Sequence, residues 1–176
     1  REELVGYGLA NDRAPQLATN SAKHLEADAY HKALETPGAV VIDVRNQYET
    51  EIGRIVPPPG GAELLDPKIR NSHEFPRWLN LPETKQKLAG RSVLMYCTGG
   101  IRCERASAYL TGPDCGLRNV NQLEGGIHRY LEAFPDGGFF RGQNYVFDRR
   151  GAHGPAAGGG AREPAGAAPR TIAQCA

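Results

Sequence analysis

The chain has 176 residues, 40% of them hydrophobic, with 21 Lys and Arg against 20 Asp and Glu and a net charge of +1. That length suits one domain with a true core plus appendages, and so even a charge balance neither supports nor excludes nucleic-acid binding. No apolar run is long enough to span a bilayer and no signal-peptide pattern is present, so no membrane contact is expected; four cysteines in no regular framework argue against a disulfide-stapled secreted domain, and a reducing, cytoplasmic compartment is expected.

The chain begins at Arg1 rather than a methionine, as a fragment would, and residues 1–20 read as an N-terminal segment. Within it Leu4-Val5-Gly6-Tyr7-Gly8-Leu9 is a short strand-like run. Residues 24–34 read as a helix presenting Tyr30, Ala33 and Leu34 on one face, stopped by Pro37 and Gly38. His24 and His31 have no cysteine or carboxylate cluster to complete a metal site, so both are expected at the surface and no metal is expected. Ala39-Val40-Val41-Ile42-Asp43-Val44-Arg45 has the β-branched pattern of a strand buried on both faces of a parallel sheet. Asp43 and Arg45 share one side near its C-terminal end, where open α/β sheets hold ligands. They read either as a local ion pair or with Asp43 anchoring an arginine of the active-site loop.

Residues 46–52 should form a short helix or loop, and Ile55-Val56 a brief edge strand. Pro57-Pro58-Pro59-Gly60-Gly61 cannot join a regular element and is expected to cross the surface near the site. Residues 64–70 read as irregular. Residues 74–79 read as a helical turn with Phe75, Trp78 and Leu79 inward, and a helix follows over residues 82–88, opened by Pro82 and closed by Gly90.

Residues 92–96 are a second buried strand, and it delivers Tyr96-Cys97-Thr98-Gly99-Gly100-Ile101-Arg102-Cys103 to the start of a helix over residues 104–110. Gly99 and Gly100 let the backbone turn successive N–H groups toward one point, and the helix N-terminus adds further unpaired donors. Arg102 contributes a full positive charge. All three effects favour Cys97 as a thiolate, hence a nucleophile. A merely buried cysteine needs neither the double glycine nor the arginine. The candidate site is therefore Cys97 as the reacting group, with Thr98, Gly99, Gly100, Ile101, Arg102 and Cys103 around the substrate and Asp43 and Arg45 in support. Cys103 reads as a buried structural thiol, with resolution of an oxidised Cys97 as its alternative. Cys115 reads as an exposed bystander.

Residues 119–123 form a third strand and residues 127–134 a helix, so strand, loop and helix recur as in a parallel, helix-covered sheet. Gly125-Gly126 between them reads as an ordinary strand-to-helix turn, although it could lie beside the first glycine loop. His128 is a poor general base because it sits inside the helix. A final strand is expected at residues 145–147. Residues 151–176 collapse to Gly, Ala and Pro and read as a disordered tail, with Cys175 either a lone tail cysteine or the start of a metal-binding motif.

Val41-Ile42-Asp43-Val44-Arg45, the loop from Cys97 through Glu104, and Leu123-Glu124-Gly125-Gly126-Ile127 together resemble a rhodanese domain over residues 21–150. The Cys-Thr-Gly-Gly-Ile-Arg-Cys-Glu form, with Phe147-Asp148-Arg149, is similar to the subgroup of bacterial tRNA uridine hydroxylases and eukaryotic thiosulfate sulfurtransferase/rhodanese-like domain proteins. The resemblance implies an α/β, rhodanese-like fold, a central parallel sheet with helices on both faces, and no cofactor. It implies that Cys97 takes sulfane sulfur from a small anionic donor such as thiosulfate, holds it as a persulfide against the loop amides, and passes it to a nucleophilic thiol or cyanide-like acceptor. Arg102 would bind the donor or pair with Asp43. Hydroxylation of a tRNA wobble uridine by the same loop is one alternative. A non-catalytic partner-binding module is another, and the presence of Cys97 counts against it. Four residues separate Cys97 from Arg102, one fewer than in cysteine-based phosphatases, which suits sulfur over phosphate. Related proteins carry a domain before this one and a cysteine cluster after it, so Arg1 and Cys175 look like cut points.

Overall fold

Strands buried on both faces need helices above and below, and the computed structural model, which describes residues 22–113 and 115–146, supplies them. Val40–Asp43 (β2) and Val93–Tyr96 (β5) are buried at every residue and pair in parallel, Val40 opposite Val93 and Asp43 opposite Tyr96. Lys23–Leu25 (β1), Glu63–Leu65 (β4) and Val120–Leu123 (β6) complete a five-stranded parallel sheet of order β1-β6-β5-β2-β4. Gly53–Ile55 (β3) and Phe140–Gly142 (β7) form a separate antiparallel pair.

The strand pleat divides the core in two. Val40, Ile42, Val93 and Met95 pack with Phe75, Leu79, Leu88, Ala106 and Leu110, from Phe75–Leu79 (α3), Pro82–Leu88 (α4) and Ile101–Thr111 (α5). Val41, Leu94 and Tyr96 face Tyr30, Leu34, Ile127 and Tyr130, from Ala27–Leu34 (α1) and Gly126–Ala133 (α6). Gln47–Ile52 (α2) follows β2 directly. The fold is thus α/β with helices on both faces, as the sequence implied.

Several elements differ from expectation. The first helix begins at Ala27, because Lys23, His24 and Leu25 are drawn into register with Asn121, Gln122 and Leu123 as an edge strand. The stretch read as irregular from residue 64 includes β4, which gains its order from the same kind of distant pairing, with β2. The proline loop lies at the end of the sheet away from Cys97. There Ala62 N–H donates to Leu34 O and Glu63 N–H to Ala39 O, both at 2.8 Å and both ahead of β2. The last described strand is β7, earlier than residues 145–147, because it pairs with Gly53–Ile55. His31 is not a free surface histidine: it stacks on Phe139 and Phe134 with centroids 4.1 and 4.4 Å away, and its Nδ1 meets Tyr130 Oη at 2.7 Å. Cys115 is half-buried against the core rather than exposed. Phe75 and Leu79 are buried and Trp78 partly so, as expected. The strand-like run at residues 4–9, residues 147–149 and the tail with Cys175 lie outside the described residues.

Candidate active site

Cys97 stands immediately after β5, at the C-terminal end of the sheet's central strand, and is 1% exposed. Gly100 takes φ 90°, a left-handed conformation that glycine adopts without a side-chain clash, and caps α5. That turn aims its N–H at Cys97 Sγ, 3.1 Å away. The Cys97 thiol is lowered from its ordinary value of 9.0 to about 6. The Cys103 thiol does most of this by donating to Sγ, ahead of the charge of Arg102 and the N–H groups of Cys103 and Arg102; burial opposes them. Burial and the neighbouring Cys97 hold Cys103 well above its usual range, so it remains a donor. At neutral pH the arrangement is a thiolate facing a thiol. Cys103 is buried, as read from the sequence, and it also stabilises the Cys97 thiolate.

Arg102 is not anchored by Asp43. Its Nη1 and Nη2 donate to Glu49 Oε2 and Oε1 at 2.6 and 2.7 Å, and Nη2 also donates to Thr98 Oγ1 at 3.0 Å. Thr98 Oγ1 in turn donates to Glu49 Oε1 at 3.1 Å. Glu49 is wholly buried, and the Asn46 N–H donates to its Oε2 at 3.1 Å in a capping box at the start of α2. This carboxylate fixes the loop, and the sequence reading missed it. Asn46-x-x-Glu49 is a capping-box pattern that places residue 49 at the first turn of a helix leaving the same sheet edge.

Asp43 instead forms the local ion pair. Arg45 Nε and Nη2 donate to its Oδ1 and Oδ2 at 2.9 and 2.7 Å, and Nη2 also donates to Gly53 O at 2.6 Å. Both side chains are fully buried, and the guanidinium lies 5.5 Å from the Tyr96 ring centroid. Burial disfavours the Arg45 charge, but Asp43 outweighs it and the pKa rises. The pair ties the end of β2 to β3.

The second glycine turn does lie against the first. Ile127 N–H donates to Cys97 O at 2.9 Å and His128 N–H to Thr98 O at 3.2 Å. A Cβ at Gly126 would stand 2.5 Å from Cys97 O, so only glycine lets α6 start this close. His128 itself is exposed and faces Glu132. Gly99 is open to space and Ile101 is 64% exposed at the mouth of the site. Among the described residues no cluster of His, Cys, Asp or Glu could hold a metal, and no helix is long and apolar enough to cross a membrane.

Residues 26–133 match the family model described as Rhodanese-like domain. The chain is 45% identical over 156 residues to Rhodanese-like domain-containing protein 6 of Arabidopsis thaliana, covering 85% of this chain and 26% of that protein. It is 39% identical over 151 residues to tRNA uridine(34) hydroxylase of Bacillus cytotoxicus, covering 85% of this chain and 43% of that protein. It therefore spans less than half the length of these curated relatives. A solved structure from Rhodopseudomonas palustris, described as a possible tyrosine phosphatase, superposes with a TM-score of 0.51 at 19% identity, covering 76% of this chain and 95% of that one. That likeness is of fold alone.

Proposed function

The chain belongs to the rhodanese-like domain family, and from that premise we propose that it is the thiolate-bearing part of a tRNA wobble-uridine hydroxylase, with Cys97 as the reacting sulfur. The observation that carries this is a cysteine lowered to about 6 at the open end of a parallel sheet. The relatives named tRNA uridine(34) hydroxylase supply the substrate. A thiolate suits uracil chemistry. Sγ adds to the electron-poor C6, a C–S bond forms, and the electron pair moves through C5 to O4 as an enolate. C5 is then nucleophilic and attacks the outer oxygen of a peroxide-level donor, whose O–O bond breaks as its other oxygen leaves with the electron pair. Loss of the C5 proton and of Sγ restores the ring and the thiolate. Gly100 N–H and the Cys103 thiol hold the negative charge on sulfur before attack and after release. Arg102, pinned by Glu49 and Thr98, supplies a fixed positive field.

In a strain lacking its own wobble-uridine hydroxylase, the complete gene product should restore oxygenated wobble uridine, measured by mass analysis of tRNA nucleosides, and Cys97→Ser should not. Failure of the wild type, or success of the variant, overturns the reading.

The tight loop favours a second reading, sulfane-sulfur transfer. Cys97 Sγ attacks the outer sulfur of thiosulfate, an S–S bond forms, sulfite leaves, and the persulfide hands its outer sulfur to a thiol or cyanide. Turnover of thiosulfate and cyanide to thiocyanate that is lost in Cys97→Ser supports it. No turnover in the wild type removes it.

A further inference from the structure

Two cysteine sulfurs meet at the site, and attack on uracil uses one of them. Gly100 has no side chain with which to cap α5, and Cys97 Sγ stands in that place. The N–H of Gly100 donates to it at 3.1 Å, and those of Arg102 and Cys103 in the first turn donate to it as well. Helix side chains lean toward the N-terminus, so the Cys103 side chain points back at this sulfur, and its thiol donates to it. Both cysteines belong to one buried cluster.

The two sulfurs differ in state and in position. At neutral pH Cys97 is a thiolate and Cys103 a thiol, and it is the thiolate that attacks electrophilic oxygen. Cys97 also lies on the open side. It belongs to the loop, where nothing stands within 4 Å of a Cβ built on Gly99 and where Ile101 is exposed, whereas Cys103 is fully buried on the core side of α5. Cys115, the remaining described cysteine, follows the far end of α5, whose 11 residues span about 16 Å. Among the described residues, Cys103 is therefore the thiol that can answer a change at Cys97.

We propose that Cys97 and Cys103 form a two-cysteine centre that reduces a hydroperoxide and closes an intramolecular disulfide. Cys97 Sγ attacks the outer peroxide oxygen. An S–O bond forms as the O–O bond breaks, and the other oxygen leaves with the electron pair and takes a proton from water, which leaves Cys97 as a sulfenic acid. The Cys103 sulfur then attacks Cys97 Sγ. The S–S bond forms as the S–O bond breaks, and the Cys103 proton departs with the hydroxyl as water. The two sulfurs together give up two electrons and the peroxide gains them; an external dithiol returns both cysteines to the reduced state. Gly99 and Gly100 lie between the cysteines and give the loop the backbone freedom to bring the sulfurs to bonding distance, about 2 Å. The centre needs the thiolate and no RNA. It spares Cys97 from irreversible sulfinic acid when the oxygen donor arrives with no uridine in place.

The test treats the reduced, complete gene product with hydrogen peroxide and maps its tryptic peptides by mass. Trypsin cuts after Arg91, Arg102 and Arg105, so the disulfide joins residues 92–102 to residues 103–105. Wild type should give that linked pair, lost on adding a dithiol. Cys103→Ser keeps a donor beside Cys97 but has no sulfur to close the bond, so its Cys97 should be trapped by dimedone as sulfenic acid and should accumulate sulfinic acid about tenfold more than wild type. Should the serine variant fail to fold, the wild-type peptides decide alone. A wild-type Cys97 that stays reduced, that accumulates sulfinic acid in place of the linked pair, or that pairs with another cysteine overturns the proposal. No RNA enters this measurement, so the tRNA reading stands or falls separately.

Discussion

Replacing Cys103 with alanine removes the largest influence that keeps Cys97 a thiolate, the donor from the Cys103 thiol. A hydrogen bond to a charged acceptor contributes about 1.5–3 kcal/mol, and each pH unit corresponds to about 1.4 kcal/mol, so the Cys97 midpoint should rise by roughly 1–2 units. From about 6 it would move to roughly 7–8. At neutral pH the thiolate would then fall from most of the protein to half of it or less. Serine at the same position keeps a donor and should hold the midpoint within about half a unit of wild type. The assay is the rate of iodoacetamide labelling of the Cys97 peptide across pH, followed by mass spectrometry. Position 103 is fully buried on the core side of α5, so melting curves are taken in parallel to confirm that the alanine variant is folded. A folded Cys103→Ala variant whose midpoint stays near that of wild type would refute the assignment of Cys103 as the principal stabiliser.

Glu49→Ala removes the carboxylate that pairs with the Arg102 guanidinium, whose side chain is only 15% exposed, and should lower stability by about 3 kcal/mol in urea melts; a loss below about 0.5 kcal/mol would show that the loop does not depend on this carboxylate. Gly126→Ala drives a Cβ to 2.5 Å from Cys97 O at a φ of +65°, so the loop must shift. The proposed wobble-uridine hydroxylation should fall about a hundredfold with the fold retained by circular dichroism, and near-normal turnover would contradict the packing argument. Because folding lowers the Cys97 thiol from 9.0 to about 6, its thiolate stabilises the folded chain fully above the upper value and loses that contribution as pH falls toward the lower one. The melting temperature of wild type relative to Cys97→Ser should therefore rise between those limits, and a flat difference would refute the sign.

Local pattern made the centre of the fold legible. The runs at Val40–Asp43 and Val93–Tyr96 had to be buried parallel strands, and the glycines after Cys97 had to open a helix. The edge strands β1 and β4 carried no such pattern, because three-residue strands acquire their order from partners far along the chain. The site divides in the same way. Cys97, the loop amides and Arg102 lie within one short stretch and were legible as a thiolate cradle. Glu49 comes from a different crossover, and only the folded sheet edge brings it to Arg102 across 53 positions of sequence. Asp43 was a reasonable candidate for that role, yet Arg45 two residues on satisfies it completely.

The most direct test of the account uses an anticodon stem-loop carrying 5-fluorouridine at the wobble position, incubated with the complete gene product under hydroxylating conditions. Once C5 has taken oxygen it carries fluorine in place of the proton, so the elimination that would release Sγ from C6 is blocked. The account predicts a covalent RNA adduct on the Cys97 peptide, absent from Cys97→Ser. No adduct under conditions where unmodified uridine is hydroxylated, or an adduct that survives Cys97→Ser, would contradict it.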